Sequence, residues 1–192
     1  MQVGLFFGSF NPIHIGHMVI ANYMIEFTEI QQLWFVVSPQ SPFKQKASLL
    51  DGYQRIELIN RAIGNDYTRF KVSDIEFNLP IPSYTINTLT YLSEKYPHHT
   101  FSIIMGEDNL QHFKKWKNWE QIIEKYEIYV YRRLNSISSD LIENDKIKIV
   151  SAPIIEISSS FIRKAIHEKK DLRYFLPEKV YSYIDEMNYY KK

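Results

Sequence analysis

Two histidines, His14 and His17, stand three positions apart near the amino terminus, within residues 8–17, which read GSFNPIHIGH. An apolar run at residues 3–7 precedes this decapeptide and helical spacing of apolar residues follows it, which predicts a strand, a turn and the start of a helix. Backbone N–H groups and the macrodipole at a helix amino terminus favour negative charge. Two imidazoles at such a place are therefore suited to binding a polyphosphate.

Glycine and serine in the same decapeptide support this interpretation. The chain has only 6 glycines, so Gly8 and Gly16 indicate positions where the backbone must turn tightly or let a ligand approach. Ser9 offers a hydroxyl and an amide. A zinc site is a weaker alternative, because two histidines with no carboxylate beside them are a poor ligand set for zinc.

A second polar segment, residues 157–163, reads ISSSFIR and begins another predicted helix. Ser158, Ser159 and Ser160 supply one capping hydroxyl and further donors. Arg163 follows one turn inside the helix, where its guanidinium can reach an anion held at the same end. The two segments together predict a single anion site formed by two helix starts.

The rest of the chain alternates short apolar runs with helical spacing. Strands are predicted over residues 1–7, 33–37, 70–77, 101–105, 127–131 and 146–150. Helices are predicted over residues 15–27, 50–63, 107–126 (with an interruption), 158–170 and 177–190, and from a cap at Ser83 to about residue 96. This order is typical of an α/β fold with a doubly wound parallel sheet, whose ligands bind beyond the carboxyl ends of the strands. We expect one domain over residues 1–192, with a helical carboxyl-terminal part from about residue 158.

Composition excludes several function classes. The chain has 23 basic and 22 acidic residues among 192, which argues against a nucleic acid as partner, because such proteins usually carry a basic excess. Cysteine is absent, so disulfides, thiolate metal sites and a cysteine nucleophile are excluded. The apolar run at the amino terminus is too short for a signal peptide or a membrane span. We expect a cytoplasmic protein with no membrane partner.

The decapeptide resembles the HxGH motif of the nucleotidyltransferase superfamily, in the form found in bacterial nicotinate-nucleotide adenylyltransferases. Residues 157–163 are similar to the second hallmark of that family, ISSTxIR, with Ser160 at the threonine position. Gly106-Glu107-Asp108-Asn109-Leu110 resembles the family's GxDNL segment, and residues 83–85 resemble its SYT segment. The resemblance covers roughly residues 1–187 and implies a Rossmann-like nucleotidyltransferase fold.

The resemblance also implies roles for individual residues. Catalysis is assigned to His14, His17 and Arg163. ATP binding is assigned to Gly8, Ser9, Phe10, Gly16, Gly106, Asp108, Ser158, Ser159 and Ser160. Binding of the acceptor is assigned to Lys44, Tyr84, Thr85, Trp116 and Arg132, with Trp116 stacking on the pyridine ring and the choice between Arg132 and Arg133 left open.

The implied reaction transfers the adenylyl group of ATP to nicotinate mononucleotide and releases pyrophosphate. Magnesium is expected to bridge phosphates and to have no dedicated cage of protein ligands. Nicotinamide mononucleotide or another small phosphate acceptor is an alternative substrate, and a nucleotide-binding module without activity is an alternative of another class. A homo-oligomer is possible.

Overall fold

The computed structural model describes residues 1–39, 49–80, 82–134 and 139–191. The sheet contains β1 (Gln2–Gly8), β2 (Gln32–Val37), β3 (Phe70–Ser73), β4 (Thr100–Gly106), β5 (Glu127–Tyr131) and β6 (Ile147–Val150). All neighbouring strands are parallel, in the order β3-β2-β1-β4-β5-β6. The predicted doubly wound α/β domain with a Rossmann-like sheet is confirmed.

Helices cover both faces of this sheet. They are α1 (Ile15–Phe27), α2 (Gly52–Ile63), α3 (Thr85–Lys95), α4 (Glu107–Leu110), α5 (Trp119–Lys125), α6 (Ser159–His167) and α7 (Glu178–Glu186). Alternate side chains of the strands enter two separate apolar cores, as period-2 geometry requires. Phe6 and Phe35 pack with α1, α2, α6 and α7 on one face, whereas Leu5 and Trp34 pack with α3 and α5 on the other. No helix in the described ranges is long and apolar enough to cross a bilayer.

One predicted strand is shorter in the structure, and one predicted helix is interrupted as expected. The strand predicted over residues 70–77 ends at Ser73, and a 3-10 helix, Ile75–Asn78, turns the chain so that Glu76 faces inward. The helix predicted over residues 107–126 is divided into α4, a 3-10 turn and α5. The last of these begins after Asn118, which lies at φ 53°, a left-handed conformation that asparagine tolerates better than most residues.

The cap predicted for α3 is also different. Tyr84 occupies the cap position without a hydrogen bond from its side chain, and the Ser83 hydroxyl donates instead to Glu76 at 3.1 Å. A hydrogen bond to a carboxylate is stronger than one between two neutral groups. The Ser83 hydroxyl therefore binds Glu76 rather than an amide at the start of α3. The prediction placed a hydroxyl at the correct end of the helix but gave it the wrong partner.

The sheet provides a crevice where the strand order reverses. β1 lies between β2 and β4, so the chain leaves β1 toward one face and β4 toward the other. Gly8 ends β1 and Gly106 ends β4, which places the decapeptide and the GxDNL-like segment after adjacent strands at the carboxyl edge. Ligands of open α/β sheets bind at such a switch point.

Candidate active site

The amino-terminal turn and the triple-serine segment are in contact. The Ser159 hydroxyl donates to the Pro12 carbonyl at 2.9 Å, and Arg163 Nη1 donates to the Asn11 carbonyl at 2.7 Å. These partners are 147 and 152 positions apart in sequence. The starts of α1 and α6 therefore lie side by side at the carboxyl edge of β1.

The two histidines form one stacked unit. The His14 and His17 ring centroids are 3.7 Å apart with an interplanar angle of 27°. The backbone N–H of His14 donates to Nδ1 of His17 at 3.2 Å. Because Nδ1 must be unprotonated to accept this bond, the neutral His17 ring carries its proton on Nε2 and presents an N–H donor there.

His14 is held in its neutral form. Its side chain is 4% exposed, and burial, together with the nearby Arg133 charge, lowers the pKa of His14 from 6.5 to about 4. Nδ1 has no hydrogen-bond partner among the described residues. A Cβ on Gly16 would lie 3.1 Å from this nitrogen and from Cε1, so glycine at position 16 leaves space for the His14 ring itself.

The turn between β1 and α1 has an unusual backbone. Phe10 adopts φ 44° although it is not glycine, and it is 2% exposed between Phe6, Phe35 and His17. A Cβ on Gly8 would lie 2.9 Å from the Phe10 ring. Glycine is thus needed at position 8 for space, while the left-handed conformation expected of a tight turn belongs to Phe10. Strained conformations of this kind concentrate at functional loops.

Arg55 is a site residue that the sequence did not reveal. It lies in α2, is 1% exposed and donates to the carbonyls of Ser9, Ser38 and Leu50 at 2.8 to 3.0 Å and of Pro39 at 3.2 Å. The guanidinium therefore ties the β1 turn to residues on both sides of segment 40–48. No motif marks this role, because the acceptors are backbone carbonyls whose positions depend on the fold.

The carboxyl-terminal part of the chain also reaches the turn. The Tyr190 hydroxyl donates to Asn11 Oδ1 at 2.7 Å, and the Leu50 amide donates to the same oxygen at 3.2 Å. Burial raises the pKa of Tyr190, so its hydroxyl keeps its proton. The backbone N–H of Ile15 donates to the Phe175 carbonyl, so this amide of the α1 start is already satisfied within the protein.

The predicted acidic residue of the GxDNL segment takes part in an ion pair. Asp108 Oδ1 lies 3.1 Å from Nε of Arg133, whose Nη2 donates to the Tyr131 hydroxyl at 3.1 Å. A Cβ on Gly106 would lie 2.3 Å from Asp108 Oδ1 and 2.8 Å from Arg133 Nε. Glycine at position 106 is therefore what lets this pair cross the end of β4. Arg132 and Arg133 are both exposed, but of the two only Arg133 pairs with Asp108 among the ion pairs of the described residues.

Two of the segments assigned to the acceptor lie near each other at the start of α3, whereas Arg132 follows the end of β5. Lys117 Nζ lies 4.5 Å from the centroid of the Tyr84 ring, which brings the segment around Trp116 to Tyr84 and Thr85. Trp116 is half-buried and packs on Phe113, with 5.2 Å between the ring centroids. Lys44 lies outside the described residues.

The three serines at the start of α6 also differ in their contacts. Ser158 caps α6, since its hydroxyl accepts from the Phe161 amide, and this hydroxyl lies 3.0 Å from that of Ser160.

Comparisons with known proteins show the family and the fold. The cytidylyltransferase-like family model matches residues 5–165. A protein of Flavobacterium psychrophilum named probable nicotinate-nucleotide adenylyltransferase is 54% identical over the full length of both chains. A protein of the same name from Bacteroides thetaiotaomicron is 44% identical over 97% of this chain and 92% of its own length. The structure of Plasmodium falciparum nicotinic acid mononucleotide adenylyltransferase complexed with NaAD superposes with a TM-score of 0.82 at 20% identity, over 99% of this chain and 97% of that one.

Proposed function

The chain belongs to the nicotinate-nucleotide adenylyltransferases within the cytidylyltransferase-like family, and from this premise we propose how its residues transfer the adenylyl group of ATP to nicotinate mononucleotide. A phosphate oxygen of the mononucleotide attacks the α-phosphorus of ATP. The bond from that phosphorus to the bridging oxygen breaks, and pyrophosphate leaves. The attacking oxygen is already anionic at neutral pH, so the protein's part is alignment and stabilisation of charge.

The triphosphate binds between the turn at residues 8–17 and the start of α6. The observation that carries this proposal is the pair of hydrogen bonds from Ser159 and Arg163 to the turn. A guanidinium has five N–H donors, so Arg163 can hold the Asn11 carbonyl and still bind the departing pyrophosphate. His14 and the backbone N–H of Ser159 in the first turn of α6 bind the same phosphates, while the Ser159 hydroxyl stays on the Pro12 carbonyl and Ser158 and Ser160 form the rest of the α6 start.

The α-phosphate receives charge stabilisation from His17 and Ser9. The His14 backbone N–H fixes His17 with Nε2–H as donor, so no proton needs to be relocated before this group can stabilise the equatorial oxygens. Arg55 holds the Ser9 carbonyl. Because the C=O and N–H of one trans peptide point in opposite directions within its plane, the Phe10 N–H then points away from Arg55. Gly8 and Gly16 keep the turn and the His14 ring in place.

The ribose of ATP binds at the end of β4, and the acceptor binds at the start of α3. Asp108 accepts hydrogen bonds from the sugar hydroxyls, and Gly106 gives it the space to do so. Tyr84 and Thr85 offer helix-start amides to the ring carboxylate of nicotinate, and Trp116 stacks on the pyridine ring. Lys44 and Arg132 are proposed as contacts to the mononucleotide phosphate, with Arg133 as the arginine that orients Asp108.

Magnesium is proposed to enter with ATP, bound to its phosphates. Among the described residues no three histidine, aspartate or glutamate side chains come together as a metal site, and Mg²⁺ in such enzymes is usually held by substrate phosphates and water. When bound, the ion neutralises phosphate charge. A cytoplasmic location, assembly into a homo-oligomer and the absence of a nucleic-acid partner remain predictions.

Pyrophosphate release tests the proposal. The purified protein is incubated with ATP, Mg²⁺ and either nicotinate mononucleotide or nicotinamide mononucleotide, and kcat/KM is measured for each acceptor. We expect the nicotinate form to be strongly preferred, because helix-start amides bind a carboxylate better than a neutral amide. Equal values would contradict the proposed recognition of the ring carboxylate. No pyrophosphate with either acceptor would overturn the function.

A further inference from the structure

A buried carboxylate lies behind the proposed acceptor site. Glu76, in the 3-10 helix after β3, is 3% exposed. Its Oε2 accepts from the Ser83 hydroxyl at 3.1 Å and its Oε1 accepts from the Thr88 hydroxyl at 3.0 Å. Burial raises the pKa of Glu76, and hydrogen bonds from the hydroxyls of Ser38, Thr88 and Ser83 act in the opposite direction. Three hydroxyl groups therefore contact this carboxylate, one from the end of β2 and two from the start of α3.

The burial of Glu76 destabilises the fold relative to an apolar residue at this position, which suggests that the carboxylate has a specific role. Burying a carboxylate costs free energy of desolvation, and an apolar side chain of similar size would avoid that cost. Among the ion pairs of the described residues none involves Glu76. The hydroxyl bonds satisfy the carboxylate but do not by themselves explain why it is there. Fully satisfied buried networks fix one local geometry more strictly than apolar packing does.

The geometry that Glu76 fixes is the start of α3. Ser83 stands directly before Tyr84 and Thr85, and Thr88 lies one turn inside the helix with no exposed surface. The two hydroxyls thus hold the chain on either side of the residues proposed to bind the acceptor. The cap residue, Tyr84, makes no side-chain capping bond, so the anchor for this helix start comes from Glu76.

We infer that Glu76 is a positioning residue for the acceptor, holding the α3 start so that Tyr84 and Thr85 face nicotinate mononucleotide. This inference rests on the proposed function. It assigns Glu76 to the acceptor, because Ser83 and Thr88 belong to the start of α3. The third partner, Ser38, does contact the turn of residues 8–17, but through its backbone, which donates to the Gly8 carbonyl and accepts from Arg55 without help from Glu76. Loss of the network therefore weakens binding of the acceptor and leaves binding of ATP unchanged.

The test compares the KM values of the two substrates in isosteric variants. Glu76→Gln replaces one acceptor oxygen by an NH2 group. One of the hydroxyls that donates to Glu76 must then accept a hydrogen bond instead. Thr88→Val removes a donor from a buried site without changing its shape. For both variants we expect the KM for nicotinate mononucleotide to rise about tenfold, the effect of losing one hydrogen bond to a charged group, with the KM for ATP within about twofold of wild type.

Two further variants act as controls. Thr88→Ser keeps the hydroxyl and should restore the acceptor KM. Thr90→Val makes the same chemical change on the same helix, where the hydroxyl donates to the Ile86 carbonyl at 2.9 Å and the side chain is exposed. It should leave both KM values unchanged. If Glu76→Gln does not fold, Thr88→Val and Thr88→Ser decide the question.

Three results would overturn the inference. They are an unchanged acceptor KM in both Glu76→Gln and Thr88→Val, an equal rise in the KM of both substrates, and an effect of Thr90→Val as large as that of Thr88→Val. The second would show that Glu76 supports the fold as a whole. Failure of the proposed function is distinguishable, because the unmodified enzyme would then form no dinucleotide from nicotinate mononucleotide before any variant is compared.

Discussion

The burial of His14 predicts that the protein loses stability as the pH falls. Its side chain is 4% exposed, and burial with the Arg133 charge lowers the pKa of His14 from 6.5 to about 4 in the folded state. In the unfolded chain the imidazole is hydrated and its pKa is near 6.5. Below about pH 6.5 the unfolded state therefore binds a proton that the folded state does not, and the free energy of unfolding decreases.

The size of the effect follows from the two pKa values. Their full difference corresponds to about 3 kcal/mol, reached when the pH falls to about 4. At pH 5 the linkage relation gives a loss of about 2 kcal/mol relative to pH 7.5. This is a large share of the roughly 5–15 kcal/mol that stabilises an ordinary domain.

Urea unfolding of wild type and His14→Gln at several pH values between 7.5 and 5 measures the contribution of His14 to the pH dependence of the unfolding free energy. Glutamine keeps a polar side chain but does not titrate, and the remaining groups titrate alike in both proteins. The difference in unfolding free energy between them should change by about 2 kcal/mol over this range, with wild type losing more. His98→Gln, at an exposed histidine, is the matched control. Parallel pH profiles for wild type and His14→Gln would refute the conclusion that His14 is held neutral.

Three further substitutions test separate parts of the site. His17→Ala should lower kcat by about 10²-fold or more while the Tm changes little, because a preorganised donor to the α-phosphate is lost; an unchanged kcat would contradict the role of His17. Gly106→Ala places a Cβ 2.3 Å from Asp108 Oδ1 and should displace Asp108 from the ribose of ATP. We expect kcat/KM for ATP to fall about tenfold or more, and wild-type kinetics would contradict the proposed ribose contact. Arg55→Met leaves four carbonyls without their donor and should cost about 3 kcal/mol in chemical denaturation, with Arg55→Lys recovering part of it; equal stability of Arg55→Met and wild type would count against the clamp.

The sequence predicted secondary structure best where apolar residues recur at regular spacing and a capping residue stands at the end of the element. Helix α1, strand β5 and the cap by Ser158 agree with expectation, because apolar spacing and a hydroxyl at a helix start act locally. The fold class followed from the alternation of such elements. Paired motifs also predicted that the turn and α6 would meet, although contact over about 150 positions cannot be read from either segment alone.

The remaining features depend on contacts between distant segments. Arg55 and Glu76 are charged residues that look solvated in the sequence, yet both are buried against groups that only the fold brings near. The left-handed conformation of Phe10 was not predictable, since glycine normally takes such positions. Gly8 was recognised as constrained and Gly106 as part of a family-like segment, but the side chains of Phe10 and Asp108, which need the space that each glycine leaves, are seen only in the structure.

A crystal structure with a non-hydrolysable ATP analogue tests the central claim most directly. We expect the triphosphate to lie between residues 8–17 and 158–163, with oxygens within hydrogen-bond distance of His17 Nε2 and of the Arg163 guanidinium at the same time. A triphosphate that contacts only one of the two segments, or that binds elsewhere on the molecule, would contradict it.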